Sequence, residues 1–190
     1  MKPWTEHLTD SLSEILIDEA TLKQRVTQMA QQITADYSRI EDLDELLVVG
    51  ILRGSVLFMS DLVRQIELPV TLDFMATSSY AKGTKSSGTV RIVKDLSDSI
   101  TGKHVLIVED IVDSGLTLQS LSELLISRRP ASLRLCSLLD KPSRRKTDIN
   151  ADYCGFTIED KFAVGYGLDF ADHYRHLPYI GVLKPEIYEK

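Results

Sequence analysis

Residues 105–118 read VLIVEDIVDSGLTL, and this stretch decides the fold of the chain. Its first four residues are apolar and mostly β-branched, which predicts a strand buried on both faces. An acidic loop then begins at Glu109 and Asp110, and leucines recur at steps of three and four over Leu116–Ser127, which predicts a helix. Strand, acidic loop and helix in this order are typical of α/β proteins, whose ligands bind at the carboxyl ends of the strands.

The rest of the chain repeats this alternation. Two further helices are predicted from apolar residues at helical spacing, over residues 18–39 and 55–65. Six short apolar runs predict strands, at residues 46–52, 70–76, 133–139, 153–158, 162–166 and 179–183. We therefore expect an α/β chain with a twisted, mainly parallel sheet flanked by helices, followed after residue 150 by a small appendage.

Charge and cysteine content restrict the class of protein. The chain has 190 residues with 22 basic and 28 acidic side chains, a net charge of -6, which argues against binding nucleic acid or an anionic membrane by bulk charge. The whole deficit lies in residues 1–50. The two cysteines, Cys136 and Cys154, form no CxxC pair, and neither a secretory signal nor a membrane-spanning run is visible. We expect free thiols in a cytoplasmic protein.

The segment that follows the 105–108 strand suits a sugar phosphate. Backbone amides that open the helix can bind a phosphate, helped by the hydroxyl groups of Ser114 and Thr117, while Gly115 permits close approach. Glu109 and Asp110 can accept hydrogen bonds from ribose or hold Mg²⁺. The residues alone leave a second interpretation open, in which Asp113 or Ser114 merely caps the helix.

The same segment resembles the phosphoribosyl pyrophosphate (PRPP) binding motif of type I phosphoribosyltransferases: an apolar strand, two acids, two apolar residues, then Asp-Ser/Thr-Gly-x-Thr. From about residue 10 to 188 the chain is similar in order and spacing to the 6-oxopurine branch of that family, most of all to the bacterial hypoxanthine (guanine) enzymes. The resemblance implies the type I fold in one domain over residues 1–190. Residues 1–40 would be an N-terminal arm and helix, 150–190 would carry the purine pocket, and the chain ends would form a small hood.

The resemblance also implies a role for each matching residue. Asp113 faces N7 of the purine as general acid or base, and a cis peptide commonly joins the residues that match Leu52 and Arg53. Mg²⁺ is implied at Glu109, Asp110 and Asp169. PRPP and the nucleotide phosphate would contact Glu109, Asp110, Asp113, Ser114, Gly115, Leu116 and Thr117. Pyrophosphate would contact Arg53, Gly54 and Arg175, a lid would carry Ser79 and Tyr80, and the purine would contact Lys141, Phe162, Ala163 and Asp169.

Without the resemblance several of these residues have simpler interpretations. Arg53 reads as an incidental cation in a turn, Phe162 as core and Asp169 as a turn acid. Residues 76–88 read as a long polar loop, either a lid or an unstructured connection. The cations Arg144, Arg145 and Lys146 are interpreted as a solvated loop, and His173 and His176 as surface residues.

The function implied is a Mg²⁺-dependent purine salvage transferase that takes PRPP and a 6-oxopurine base to IMP, with GMP as a further product, and that assembles as a homodimer or homotetramer without nucleic acid or membrane. One alternative is a regulator that keeps the fold and binds nucleic acid, but the sequence shows no basic face or added DNA-binding segment. Another is a phosphatase with Asp110 or Asp113 as nucleophile, which leaves the pyrophosphate turn and the lid unexplained.

Overall fold

The computed structural model describes residues 8–79 and 90–189. It contains a six-stranded sheet and a three-stranded sheet. The strands are β1 (Leu12–Ile17), β2 (Leu46–Leu52), β3 (Val70–Ser79), β4 (Val90–Lys94), β5 (His104–Val112), β6 (Ser132–Asp140), β7 (Tyr153–Thr157), β8 (Ala163–Val164) and β9 (Ile180–Leu183). The helices are α1 (Glu19–Tyr37), α2 (Val56–Val63), α3 (Leu116–Ser127) and α4 (Pro185–Tyr188), with a 3-10 turn at Pro142–Arg144.

The larger sheet confirms the expected α/β architecture. Its order is β4-β3-β2-β5-β6-β7, and every neighbouring pair is parallel except β3 and β4. Because β2 and β5 lie in the middle, their side chains are buried on both faces in alternation. Val48 and Leu106 pack toward α1 and α2, whereas Val49 and Ile107 pack toward α3.

Helix α1 confirms the helix predicted at residues 18–39. The Asp18 carboxylate accepts a hydrogen bond from the Thr21 amide at 2.8 Å and so caps the helix. The predicted apolar stripe is buried throughout: Leu22, Val26, Met29, Ile33 and Tyr37. None of the helices in the described ranges is both long and apolar enough to span a bilayer. Cys136 and Cys154 are free thiols, as expected.

Strand β5 is longer than predicted and corrects the acidic loop. It runs to Val112, so Glu109 and Asp110 belong to the strand rather than to a loop after it. The physical reason is its neighbour: β6 continues beside it, with Ile111 opposite Leu139 and Val112 opposite Asp140. The strand therefore delivers both acids at fixed positions along the sheet edge.

The smaller sheet is the hood that the resemblance implies, and it is made from the two ends of the chain. Its order is β1-β9-β8, all antiparallel, and Leu12 lies opposite Leu183. Strand β1 was not expected, because residues 12–17 alternate poorly and their partner is at the far end of the sequence. The apolar cluster beneath this sheet includes Val164 and Tyr174.

Arg25 joins α1 to β7, the strand at one edge of the larger sheet. Its guanidinium donates hydrogen bonds to the backbone oxygens of Gly155 at 2.8 Å and Cys154 at 2.7 Å. Both are charge-assisted hydrogen bonds to the backbone of a strand that has a sheet neighbour on one side only.

We expect Arg25→Gln to lower the free energy of unfolding by about 1–2 kcal/mol, because two backbone carbonyls lose charge-assisted hydrogen bonds. Arg39→Gln is the control, since Arg39 lies just beyond the same helix and its 3.5 Å ion pair with Asp36 is exposed. Urea unfolding at one protein concentration measures both variants. Equal losses in the two would contradict this role of Arg25.

Candidate functional site

Two turns meet at one edge of the larger sheet. Strands β2 and β5 are parallel neighbours, with Gly50 opposite Val108, so the turn after Leu52 and the turn after Val112 leave the sheet on the same side. This edge holds the carboxyl ends of the strands, where α/β proteins bind their ligands. The residues implied for PRPP and for pyrophosphate are thereby brought together.

The loop at residues 113–117 opens α3 without a side-chain cap. The N-cap residue is Gly115, in the left-handed conformation at φ 81°, and no side chain caps the helix. The interpretation of Asp113 or Ser114 as a helix cap is therefore wrong. Leu116 and Thr117 form the first turn, whose amide groups lack partners within the helix and are suited to an anion.

Gly115 is needed for packing as well as for its backbone conformation. A Cβ atom at this position would overlap the side chains of Thr147 and Ile149. The segment around Thr147 therefore packs directly against the loop at Gly115.

Glu109 and Asp110 are adjacent carboxylates in a poorly solvated place. Burial and the neighbouring Asp110 carboxylate raise the pKa of Glu109 well above its usual range. Burial also raises the pKa of Asp110, opposed by hydrogen bonds to its carboxylate and by the positive charge of Arg175. Two such acids at a ligand-binding edge are suited to a cation or to hydroxyl donors.

The turn after β2 has the cis peptide between Leu52 and Arg53 that the resemblance implies. The buried Ser55 hydroxyl donates to the Ile51 oxygen at 2.7 Å and closes the turn. Gly54 is enclosed from two sides: a Cβ there would overlap the Asp110 carboxylate, and a Cβ at Gly167 would overlap the Gly54 oxygen. The turn, the acid pair and the hood are therefore in direct contact.

The two arginines implied for pyrophosphate share a carboxylate. Arg53 and Arg175 both contact Oδ1 of Asp172, at 2.6 and 3.3 Å, and Arg175 also pairs with Asp169 at 2.6 Å. Hydrogen bonds from Arg175 and Arg53 lower the pKa of Asp172. Arg175 further donates to the Gly167 oxygen at 2.7 Å. Asp172 and Asp169 thus hold both guanidinium groups at the hood.

The loop between β8 and β9, residues 165–179, is called the hood loop, and it has an unusual backbone that keeps these groups in place. Tyr166, Ala171, Asp172 and Tyr174 all have positive φ between 49° and 75°, a conformation that residues other than glycine rarely adopt. The Tyr166 hydroxyl donates to Asp61 of α2 at 2.6 Å. The loop is therefore tied to the helix that follows the Leu52–Arg53 turn.

Two of the chain segments implied for the purine are in contact: the end of β6, next to Lys141, and the start of β8, next to Phe162. Lys141 is buried, and its ammonium donates to the Lys161 oxygen at 2.6 Å. Burial lowers the pKa of Lys141, while Asp113 and Asp160 oppose that effect. Phe162 stacks on Tyr188 with ring centroids 4.7 Å apart and meets Phe170 edge to face at 5.6 Å. Its neighbour Ala163 is buried in β8.

Asp113 is held by two cations from the segment after β6. Arg144 pairs with its carboxylate at 2.8 Å, and Arg145 donates to its backbone oxygen at 2.7 Å. Arg145 also pairs with Asp140, and its side chain is only 12% exposed. The interpretation of these arginines as a solvated loop is wrong for Arg145, because the segment after β6 lies against the 113–117 loop and covers its side chain. Lys146 is exposed, as expected.

The acids implied for Mg²⁺ are not gathered into one cluster. Within residues 8–79 and 90–189, no three His, Cys, Asp or Glu side chains are placed to hold a metal ion together. Glu109 and Asp110 are adjacent, whereas Asp169 is paired with Arg175 in the hood. Oxygen ligands of this kind suit Mg²⁺, which is usually held by one or two carboxylates together with the phosphates of a substrate.

The predicted lid residues fall outside the description, and several charged partners in the site carry little signal in the sequence. Tyr80 lies outside the described residues, as does the Ser79 side chain. Four charged residues of the site are not assigned to it from the sequence: Asp172, Asp160, Arg144 and Arg145. Their only sequence signal is charge close to assigned residues, and Arg53 and its partner Asp172 are 119 positions apart.

Comparisons with known proteins agree with this geometry. The family described as the phosphoribosyl transferase domain matches residues 13–171. A hypoxanthine phosphoribosyltransferase of Salmonella typhimurium is 50% identical over 168 residues, which cover 88% of this chain and 93% of that protein. A hypoxanthine-guanine phosphoribosyltransferase of Staphylococcus aureus is 50% identical over 179 residues, 94% of this chain and 98% of that protein.

Solved structures show the same fold. A hypoxanthine phosphoribosyltransferase from Staphylococcus aureus matches with a TM-score of 0.92 and 48% identity, over 99% of this chain and 100% of that one. The Trypanosoma cruzi hypoxanthine phosphoribosyltransferase matches with a TM-score of 0.90 and 42% identity, over 95% of each chain. The chain belongs to the phosphoribosyltransferase family, in its branch of bacterial hypoxanthine and hypoxanthine-guanine phosphoribosyltransferases.

Proposed function

We propose that the protein transfers the 5-phosphoribosyl group from PRPP to N9 of hypoxanthine, and of guanine, to give IMP or GMP and pyrophosphate. The observation that carries the proposal is the contact of three parts at one sheet edge. Gly54 lies against the Asp110 carboxylate and against Gly167, so the diphosphate turn, the acid pair and the hood meet at one place. The 50% identity to enzymes of this name supports the same activity.

The 113–117 loop would bind the 5-phosphate of the sugar. Its uncapped helix start offers amide groups, and Ser114 and Thr117 add hydroxyl donors. Glu109 and Asp110, at the end of the neighbouring strand segment, would accept hydrogen bonds from the ribose hydroxyls. Phosphate and sugar would then be bound by consecutive parts of one strand, turn and helix.

The diphosphate would be bound from the opposite side of the sugar. Arg53, Gly54 and Arg175 would contact its oxygens, and both arginines would exchange their contacts with Asp172 for contacts with the ligand. Glu109 and Asp110 on one side and Asp169 on the other would each offer carboxylate oxygens to Mg²⁺ together with the phosphates of the substrate, and Mg²⁺ when bound would supply positive charge to the leaving diphosphate. Ser79 and Tyr80 are proposed as lid residues that exclude water, on the resemblance alone.

The base would lie between the hood and the loop after β6. Phe162, held by Tyr188 and Phe170, would stack on the purine, and the backbone at Ala163 would contact the N1 and C2 edge. The Lys141 ammonium would donate to O6. Since adenine has no oxygen at this position, a buried donor there favours 6-oxopurines.

Proton transfer would be the task of Asp113. As N9 attacks C1 of the ribose, the bond to diphosphate breaks, configuration inverts, and the purine loses a proton that a carboxylate at N7 can accept. The remaining catalysis is positioning and neutralisation of charge.

The first test is the reaction itself. With PRPP and Mg²⁺ the purified protein should convert hypoxanthine to IMP with release of one pyrophosphate, and should use guanine, but it should use adenine at least about 100-fold less efficiently because the O6 contact is lost. Chromatography of the nucleotide products measures this. Absence of product with hypoxanthine, guanine and xanthine alike would overturn the proposal.

Asp113→Asn is the second test. The change should lower the turnover number about 100-fold or more while the KM for PRPP changes less than threefold, because the amide keeps the shape of the loop but cannot accept the proton. Asp148→Asn, at an exposed acid on a nearby loop, is the control and should retain full turnover. A matching rise in the KM for PRPP would assign Asp113 to sugar binding instead.

We also infer a homodimer or homotetramer. Two partly exposed apolar side chains, Val56 and Leu57, open α2 directly after the diphosphate turn, and association would cover them. In the Trypanosoma cruzi relative, the C-terminal region has a role in the oligomeric state and in activity. Light scattering should give two or four times the mass of the chain, and the mass of a single chain at micromolar concentration would refute the inference.

A further inference from the structure

Asp113 has two carboxylate oxygens in different surroundings. Its Oδ1 atom is buried without a well-aligned hydrogen bond from the described residues, and Nε of Arg144 lies 2.8 Å from it as an ion pair, whereas the side chain as a whole is 44% exposed. The exposure therefore belongs to the rest of the side chain, which includes Oδ2. Arg144 thus pairs with the buried one of the two oxygens.

Arg144 is itself held on its far side. Its Nη1 atom lies 3.3 to 3.4 Å from both carboxylate oxygens of Asp160. Asp160 in turn lies 3.8 Å from the Lys141 ammonium. Four side chains of alternating charge thus connect Asp113 to Lys141: Asp113, Arg144, Asp160 and Lys141.

The two ends of this chain are the groups proposed for neighbouring atoms of the base. Asp113 is proposed for N7 and Lys141 for O6, and these atoms lie side by side on one edge of a 6-oxopurine. The Asp113 carboxylate and the Lys141 ammonium, at the correct separation, would bind N7 and O6 at the same time. The Arg144 guanidinium has the planar, forked shape that can hold two carboxylates at once.

We propose that Arg144 is a positioning residue for the transfer reaction: it holds Oδ1 of Asp113 so that Oδ2 faces N7 of the bound purine. The proposal rests on the proposed function, because it requires Asp113 to act on the base. Arg144 itself touches neither substrate, so its effect is exerted through Asp113 and should disappear when Asp113 can no longer take the proton.

Energetics separate this role from a structural one. The side chains of Arg144 and Asp160 are each 51% exposed, and ion pairs at such exposure contribute little to stability. Loss of Arg144 should therefore leave thermal unfolding nearly unchanged. A small displacement of a proton acceptor can nevertheless slow a reaction substantially.

The test uses the full chain with PRPP, Mg²⁺ and hypoxanthine, and measures the single-turnover rate because product release can limit steady-state turnover. Arg144→Gln should lower this rate about tenfold, with the KM for PRPP within twofold and an unchanged unfolding temperature. Arg144→Lys should recover part of the rate, since an ammonium can reach Asp113 but cannot also fork to Asp160. Lys146→Gln removes an exposed positive charge from the same segment and should keep the rate within twofold.

A double-mutant cycle with Asp113→Asn decides whether Arg144 acts through Asp113. The double variant should be no slower than Asp113→Asn alone, because a carboxylate that is already replaced cannot be mispositioned. Multiplied losses, a wild-type rate for Arg144→Gln, or a rise in the KM for PRPP that accounts for the loss would each overturn the proposal. If Asp113→Asn itself keeps the wild-type rate, the proposed role of Asp113 fails first, which the cycle distinguishes from failure of Arg144 alone.

Discussion

Strands β2 and β5 lie side by side in the centre of the sheet and run in the same direction, and the whole site depends on that alignment. Their residues are buried on both faces, and Gly50 of β2 has no room for a Cβ beside Met59, so a shift of one position would place a side chain where only glycine fits. The alignment brings the diphosphate turn to the acid pair closely enough that Gly54 has no room for a Cβ beside Asp110. The other contacts of the site are added to this pair of strands.

Charge in the site is balanced before any ligand arrives. Asp172 lies between Arg53 and Arg175, Asp169 pairs with Arg175, and Asp113 pairs with Arg144. The sequence places its net negative charge in residues 1–50, and the remainder sums to zero, which agrees with paired rather than isolated charges. Glu109 and Asp110 are the exception, since their burial is not matched by a contacting cation in the described residues.

The central fold could be predicted because hydrophobic patterns are local. The buried runs of β2, β5 and β6 and the stripe of α1 are visible in short windows of sequence, and each was found within a few residues of its true bounds. Strand β1 could not be found this way, because its burial comes from β9 near the other end of the chain. The end of β5 was missed for a related reason: acidic residues suggested a loop, whereas pairing with β6 extends the strand.

In the site, residue types and the resemblance predicted which side chains bind a ligand, but not which of them form ion pairs with one another. The pairing of Arg145 with Asp140, and of Arg144 with Asp113, depends on where β6 ends relative to the 113–117 loop, and no pattern in either segment reports that.

The hood is built from the first and last strands, and this has a consequence for the order in which the protein forms during synthesis. Strand β1 leaves the ribosome before the other strands of the fold, whereas its partner β9 is made after all of them. The six-stranded sheet contains neither β1 nor β9, so its strands can pair before β9 has been made. The nascent protein would therefore complete its phosphate-binding edge before it has a base pocket, and the synthesis of β9 would be the event that completes the hood and closes the site.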